Sequence, residues 1–231
     1  MRYIPLVLAL TLCLSLSAGA TLLVDFSSGA DSRLTYLNTN PAPVVGLSYT
    51  GGQAVFSVLP PYTTADDLTS AWEGLFTTSG VSGDYTASTV VDPAGMVQAW
   101  PNMSTVALFV GHAGINYFEG SLYASDSDNA WTSATTSIDL TSPTTFEIER
   151  VGSTIHFYYD DGSGLQLLAT ETGTSTSETL GIGIGFWAEG GPNSVAFDSL
   201  DVVTPEPATW SFGFAAGLFG LALYRRRARK S

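Results

Sequence analysis

The chain has 231 residues and carries 8 basic against 21 acidic side chains, a net charge of −13. That acid excess excludes nucleic acid as a partner, because phosphate backbones are held by Lys and Arg. The single cysteine, Cys13, excludes a disulfide framework and thiolate metal sites.

The first element is a secretory signal. Met1 to Pro5 carries one positive charge, Leu6 to Leu16 is almost unbroken apolar sequence, and Ala18-Gly19-Ala20 supplies the small residues of a cleavage site. Residues 1–20 are therefore expected to be a signal helix that is removed, and Cys13 with it. The apolar run is too short to cross a bilayer, which takes roughly 20 apolar residues.

Residues 21–204 follow as one exported domain. Only Arg33 and Arg150 remain there against 20 acidic side chains, a net charge of −18. Helical periodicity is absent, and short β-branched and aromatic runs recur between Gly, Asn, Asp, Ser and Pro. Leu22 to Phe26 opens the domain. Ala54 to Leu59 is a strand that stops at Pro60-Pro61. Thr105 to Val110, apolar throughout, is predicted to be central in a sheet. Ile115 to Tyr123 is read as the next strand.

Phe146 to Val151, Ile155 to Tyr159 and Leu165 to Thr170, separated by Gly152-Ser153 and Asp160 to Gly164, predict a three-stranded antiparallel meander with one wet face. Leu180 to Ala188 alternates glycine with large apolar residues. Val195 to Val203 is read as one last strand, with Val195, Phe197, Ser199 and Asp201 on one face and Ala196, Asp198, Leu200 and Val202 on the other. About a dozen strands in one domain pack as two sheets or close as a barrel.

The last element mirrors the first. Thr204-Pro205-Glu206-Pro207 breaks the preceding strand. Ala208 to Tyr224 then runs without a charge, spanning roughly 25 Å as a helix, enough for a short membrane crossing. Trp210 and Tyr224 stand near its ends, where aromatic rings favour the headgroup layer. The basic tail 225–231, led by Arg225, Arg226 and Arg227, is a cytoplasmic stop signal under the positive-inside rule.

Pro205-Glu206-Pro207, the apolar segment and the arginine cluster, in that order, resemble the PEP-CTERM sorting signal. The resemblance covers residues 205–231. It implies that the tail is a substrate of exosortase, a membrane protease-transpeptidase of Gram-negative bacteria that make exopolysaccharide and biofilm. Pro205, Glu206 and Pro207 would then be the sorting motif. The precursor would pass through the general secretion machinery, sit in the inner membrane and move to the cell surface or extracellular matrix.

A second resemblance extends over most of residues 22–203. Val24-Asp25-Phe26-Ser27, Ile148-Glu149-Arg150-Val151-Gly152 and Ala196-Phe197-Asp198-Ser199-Leu200 resemble the concanavalin-A-like superfamily, laminin-G-like domains above all. It implies an all-β, two-sheet antiparallel jelly-roll sandwich whose first and last strands pair. It also implies a carbohydrate-associated or structural module, with exopolysaccharide or another glycan as partner.

No catalytic set is evident. Glu147 and Glu149 share a strand face at a spacing that suits a glycosidase pair, which needs about 5–10 Å. The E-x-D-x-x-E pattern of one jelly-roll glycosidase group is absent, and the bland reading is a solvent-facing strand with Arg150 as ion-pair partner. The chain is therefore expected to be non-enzymatic, the alternative being a secreted glycan hydrolase or lyase using Glu147 and Glu149.

His112 and His156 are read as ordinary residues. No cofactor is expected. A structural Ca²⁺ is the one ion for which loops offer oxygens, at Asp126, Asp128, Asp160 and Asp161, although Asx-rich turns need no ion. Trp72, Trp100, Trp131, Trp187, Tyr117 and Tyr123 are candidates for stacking on sugar rings, with core packing as the competing role.

Overall fold

The computed structural model describes residues 21–38, 44–62, 71–98, 104–111, 113–125, 134–172, 177–186 and 193–204. The signal segment 1–20 and the sorting tail 205–231 lie outside the described residues. Every described element is a strand, and no described helix is long and apolar enough to cross a membrane. Leu22–Val203 form one compact unit.

The strands in chain order are β1 (Thr21–Val24), β2 (Leu34–Asn38), β3 (Val45–Thr50), β4 (Gln53–Val58), β5 (Ala71–Thr77) and β6 (Val81–Ser82). Next come β7 (Tyr85–Asp92), β8 (Ser104–Val110), β9 (Ala113–Phe118), β10 (Ser121–Ser125), β11 (Ala134–Ser137) and β12 (Thr144–Val151). The last six are β13 (Thr154–Asp160), β14 (Gln166–Thr172), β15 (Ser177–Glu178), β16 (Leu180–Phe186), β17 (Ser194–Phe197) and β18 (Leu200–Val203).

They form two large sheets. The nine-stranded one runs β14-β13-β12-β7-β17-β4-β3, with β18 beside β7 and β1 beside β18. The seven-stranded one runs β11-β10-β9-β8-β16-β5-β2. The registered neighbours within both are antiparallel. The first and last strands pair, as the superfamily resemblance implied.

The core lies between the sheets and follows the period of two. On β12, Phe146 and Ile148 are buried while Glu147 and Glu149 are only half-buried. On β13, Ile155, Phe157 and Tyr159 are buried in the same way. Each such side chain removed from water stabilises the fold by about 1.5–3 kcal/mol. β8 is the fourth of seven strands, with Val106, Leu108 and Val110 fully buried, which is the central position its apolar run predicted. The three-stranded meander is β12-β13-β14.

Three expectations are corrected. The strands number eighteen among the described residues, well above a dozen. Ile115 to Tyr123 is two strands, β9 and β10, folded at Glu119-Gly120, where both residues take positive φ, 49° and 74°. Val195 to Val203 is likewise broken. Val195, Phe197, Leu200 and Val202 are all buried, so the alternation slips by one residue at Asp198-Ser199. An unbroken strand would have turned Leu200 and Val202 away from the core. The slip is held by Asp198 N donating to Val90 O and by Thr89 Oγ1 donating to Ser199 O.

Candidate functional site

The two outward faces of the sandwich differ in kind. On the nine-stranded sheet the positions alternating with the core are mostly polar, with carboxylates on β12 and β18 and the exposed Leu167 and Val203 among them. Leu167, Tyr158, Glu147, Ser88 and Asp201 stand in one register row, and Thr170, His156, Glu149, Thr86 and Val203 in the next. Glu147 and Glu149 thus share a face, as expected. Burial, and then the neighbouring Glu149, push the Glu147 carboxyl upward. Burial also raises Asp201, against a hydrogen bond from Ser199 Oγ at 3.2 Å. Tyr158 Oη donates to Glu149 Oε2 at 3.3 Å, and His156 Nδ1 lies 3.0 Å from Thr170 Oγ1.

Arg150 is not the partner of these glutamates. It shares the core-facing side with Phe146 and Ile148, is buried, and its Nε donates to Gly152 O at 3.0 Å. Asp31 and Arg33 form an ion pair, which holds the Asp31 carboxyl down at about 2.

The outward side of the seven-stranded sheet is different. Across β10, β9, β8, β16, β5 and β2 one register row reads Tyr123, Asn116, Ala107, Gly183, Gly74 and Leu37. At about 4.8 Å per strand the row is roughly 24 Å long. Its middle three positions carry nothing larger than a methyl group.

The adjoining row places Gly181 between Phe109 and Phe76. Those two rings stack at 6.2 Å with an interplanar angle of 15°. A Cβ built on Gly181 would stand 2.4 Å from Phe76 Cδ1, so the Phe76 ring occupies the space a side chain would take. On the other side, Trp72 stands opposite Gly185, and Gly185 opposite Thr105. No Asp, Glu, Lys or Arg occupies an outward register position of these six strands. The arrangement is an uncharged row beside an aromatic pair; Asn116 and Ala107 within it are buried, 5% and 0% exposed, whereas Tyr123, Phe76 and Phe109 are half-buried.

Of the other aromatic candidates, Tyr123 lies on this band and is half-buried. Tyr117 faces the core, buried, with its hydroxyl donating to Gln98 Oε1. Trp100, Trp131 and Trp187 lie outside the described residues, as do His112, Asp126 and Asp128. Asp160 and Asp161 shape their own turn. Asp160 Oδ1 accepts from Gly162 N and Gly164 N, and Asp161 Oδ1 accepts from the backbone and hydroxyl of Ser163. Among the described residues no group of three or more His, Cys, Asp or Glu could hold a metal ion.

One polar group escaped the sequence reading. Glu73 on β5 faces the core and is fully buried. Its Oε1 accepts from Val44 N at 3.3 Å and Val45 N at 3.2 Å, and its Oε2 is hydrogen-bonded by Tyr36 Oη. Tyr36 Oη also lies 2.8 Å from Val45 O, its single proton being shared between the two acceptors. Burial, and then Glu73, raise the Tyr36 hydroxyl. The cluster ties the start of β3 to β5, the strand that carries Gly74 and Phe76. The phase of Ala71, Glu73, Leu75 and Thr77 against Trp72, Gly74 and Phe76 was the available signal.

No family model matches the chain, and no curated protein matches it. Solved structures do. A β-glucanase of Bacillus licheniformis superposes with a TM-score of 0.56 at 11% identity, covering 82% of this chain and 100% of that one. A Bacillus subtilis protein of galectin-like fold gives 0.56 at 11% identity, covering 81% and 97%. The fold is a two-sheet antiparallel jelly roll. The exoplasmic/lumenal domain of VIP36, in a Ca²⁺-bound form, resembles the same jelly roll at 0.55 and 11% identity, covering 82% and 93%. At these identities the likeness concerns the fold. In this chain the uncharged row lies on the seven-stranded sheet and Glu147, Glu149 and Asp201 on the other.

Proposed function

We propose that this chain is an exported cell-surface or extracellular-matrix protein whose jelly-roll domain binds carbohydrate, without catalysis, on the uncharged face of the seven-stranded sheet. One observation carries the reading. A domain of net charge −18 keeps six adjacent strands free of charged residues at their outward register positions. The band there is glycine-floored and flanked by the stacked Phe76 and Phe109. Neutral sugar rings would stack on the half-buried Phe76, Phe109 and Tyr123, whereas an acidic polymer would meet the repulsion of the whole domain.

The test is glycan-array binding by residues 21–204, with and without chelator. Binding is expected to survive the chelator and to fall at least tenfold, about 1.4 kcal/mol, in Phe76→Ala and in Tyr123→Ala. Binding wholly dependent on Ca²⁺, or indifferent to both substitutions, refutes the assignment.

Export and sorting rest on residues 1–20 and 205–231. The tail Pro205–Ser231 is expected to anchor an unrelated exported reporter and to direct its processing near Pro205-Glu206-Pro207. A reporter of the same size and location with and without exosortase sinks that part.

The enzymatic alternative draws on Glu147, a half-buried carboxyl pushed upward beside Glu149, an arrangement that general acids share. Polysaccharide turnover abolished by Glu149→Gln would replace the binding reading.

A further inference from the structure

We infer that residues 194–203 are the closing strand pair of the domain, so that the fold is completed only when the chain up to its sorting tail has crossed the membrane. The export half of this statement rests on the sorting function proposed above.

The argument is one of connectivity. Ser194–Phe197 pair with Ser57–Ala54 of β4 on one side, while Ala196 and Phe197 pair with Asp92 and Val91 of β7 on the other. Asp201, Val202 and Val203 pair with Ser88, Ala87 and Thr86 of β7, and β1 lies against the far side of β18. Among the described strands nothing else joins β7 to β4, and β1 has no other partner in the sheet. Without these ten residues the nine-stranded sheet is two pieces, β14-β13-β12-β7 and β4-β3, with β1 detached.

The side chains make the same point. Val195, Phe197, Leu200 and Val202 are all buried, and Phe197 meets Phe56 of β4 edge-on at 5.7 Å. Losing four buried apolar side chains together with the central ladder removes as much as a domain's whole net stability.

A bound on processing follows. Val203 is the last residue in the ladder, and only Thr204 separates it from Pro205. A cut upstream of Val203 would shorten β18, so the mature C-terminus belongs at or beyond Val203.

Two measurements test this. Residues 21–204, the compact unit with its own core, are compared with 21–192 by near-UV circular dichroism on heating. The longer chain should melt cooperatively and the shorter should show no cooperative transition. A permuted chain, carrying 193–204 ahead of Thr21 through a short Gly/Ser linker, should recover the melt, because β1 and β18 are neighbours. A 21–192 chain that melts within about 5 °C of the parent, or a permutant that does not melt cooperatively, overturns the inference. The intact mass of the protein exported by its host should place the C-terminus at or beyond Val203. An end upstream of Val203 overturns the bound. A full-length, unprocessed product would count against the sorting function and leave the folding result standing.

Discussion

Replacing Gly181 by alanine adds one methyl group at the meeting of β16 and β5. The new Cβ would lie 2.4 Å from Phe76 Cδ1 and 2.7 Å from Leu75 O. The second neighbour is backbone, paired in the ladder next to Gly181↔Phe76, so it cannot swing aside as a side chain tip can. Relief requires β16 to move from β5 and the Phe76 ring to leave Phe109. Overpacking of this kind costs about 1–3 kcal/mol, and the lost ring pair adds about 0.5–1.5 kcal/mol. The sum is about 1.5–4.5 kcal/mol. In a domain of this size each kcal/mol shifts Tm by about 2–4 °C, giving a fall of about 3–18 °C. The assay is thermal unfolding of residues 21–204 followed by near-UV circular dichroism. Glycan binding measured well below the transition should weaken as well, because the aromatic ridge is displaced. A Tm within 2 °C of the parent would refute the close packing of the ridge over Gly181. Gly162→Ala is the control: its φ of 98° imposes backbone strain, but its Cβ would meet nothing within 4 Å, and glycan binding should be unchanged.

Glu147 has a folded pKa raised by burial and Glu149, so its ionisation opposes folding. Its contribution is full below the ordinary carboxylate range and is lost as pH rises through the raised value. Glu147→Gln should therefore flatten the fall in Tm between pH 4 and 7, by less than about 1 kcal/mol on a half-exposed site, and an unchanged profile would contradict this. Asp31 has the opposite sign. Its folded pKa of about 2 means that the Arg33 pair stabilises above the ordinary Asp range and is lost as pH falls toward 2. Asp31→Asn should remove that acid-side slope, costing less than about 1 kcal/mol at pH 7 and nothing near pH 2, which urea titration at both pH values would check. Tyr117→Phe should cost about 1 kcal/mol in the same assay by leaving Gln98 Oε1 without its donor. No measurable change would mean that the bond to Gln98 adds nothing to stability.

Much of the sandwich was legible because its strands obey the period of two. The alternation of Phe146 to Val151 placed Glu147 and Glu149 on the outer face, and the Gly-Ile repeat of β16 announced a face without side chains. What failed were places where a backbone event carried no distinctive residue. The β9–β10 turn uses Glu119-Gly120, where hairpins usually use Asn-Gly or Asp-Gly, so an apolar run seemed continuous across it. The slip at Asp198-Ser199 lies inside an alternation that reads without a break. Arg150 was misplaced by its charge although its phase put it with Ile148, and Glu73 was passed over because a buried carboxylate contradicts composition. The glycine-floored band could not be read from any single strand. It exists only because Gly74, Gly183 and Ala107, far apart in sequence, share one register row.

The uneven distribution of charge makes each copy of the domain a patchy colloid. At low ionic strength copies repel through every aspect that displays carboxylates, and solubility is high. At physiological salt the repulsion reaches only about 8 Å, much less than the roughly 24 Å width of the uncharged band. Among the described strands, the repulsion between copies would then be weakest across that row.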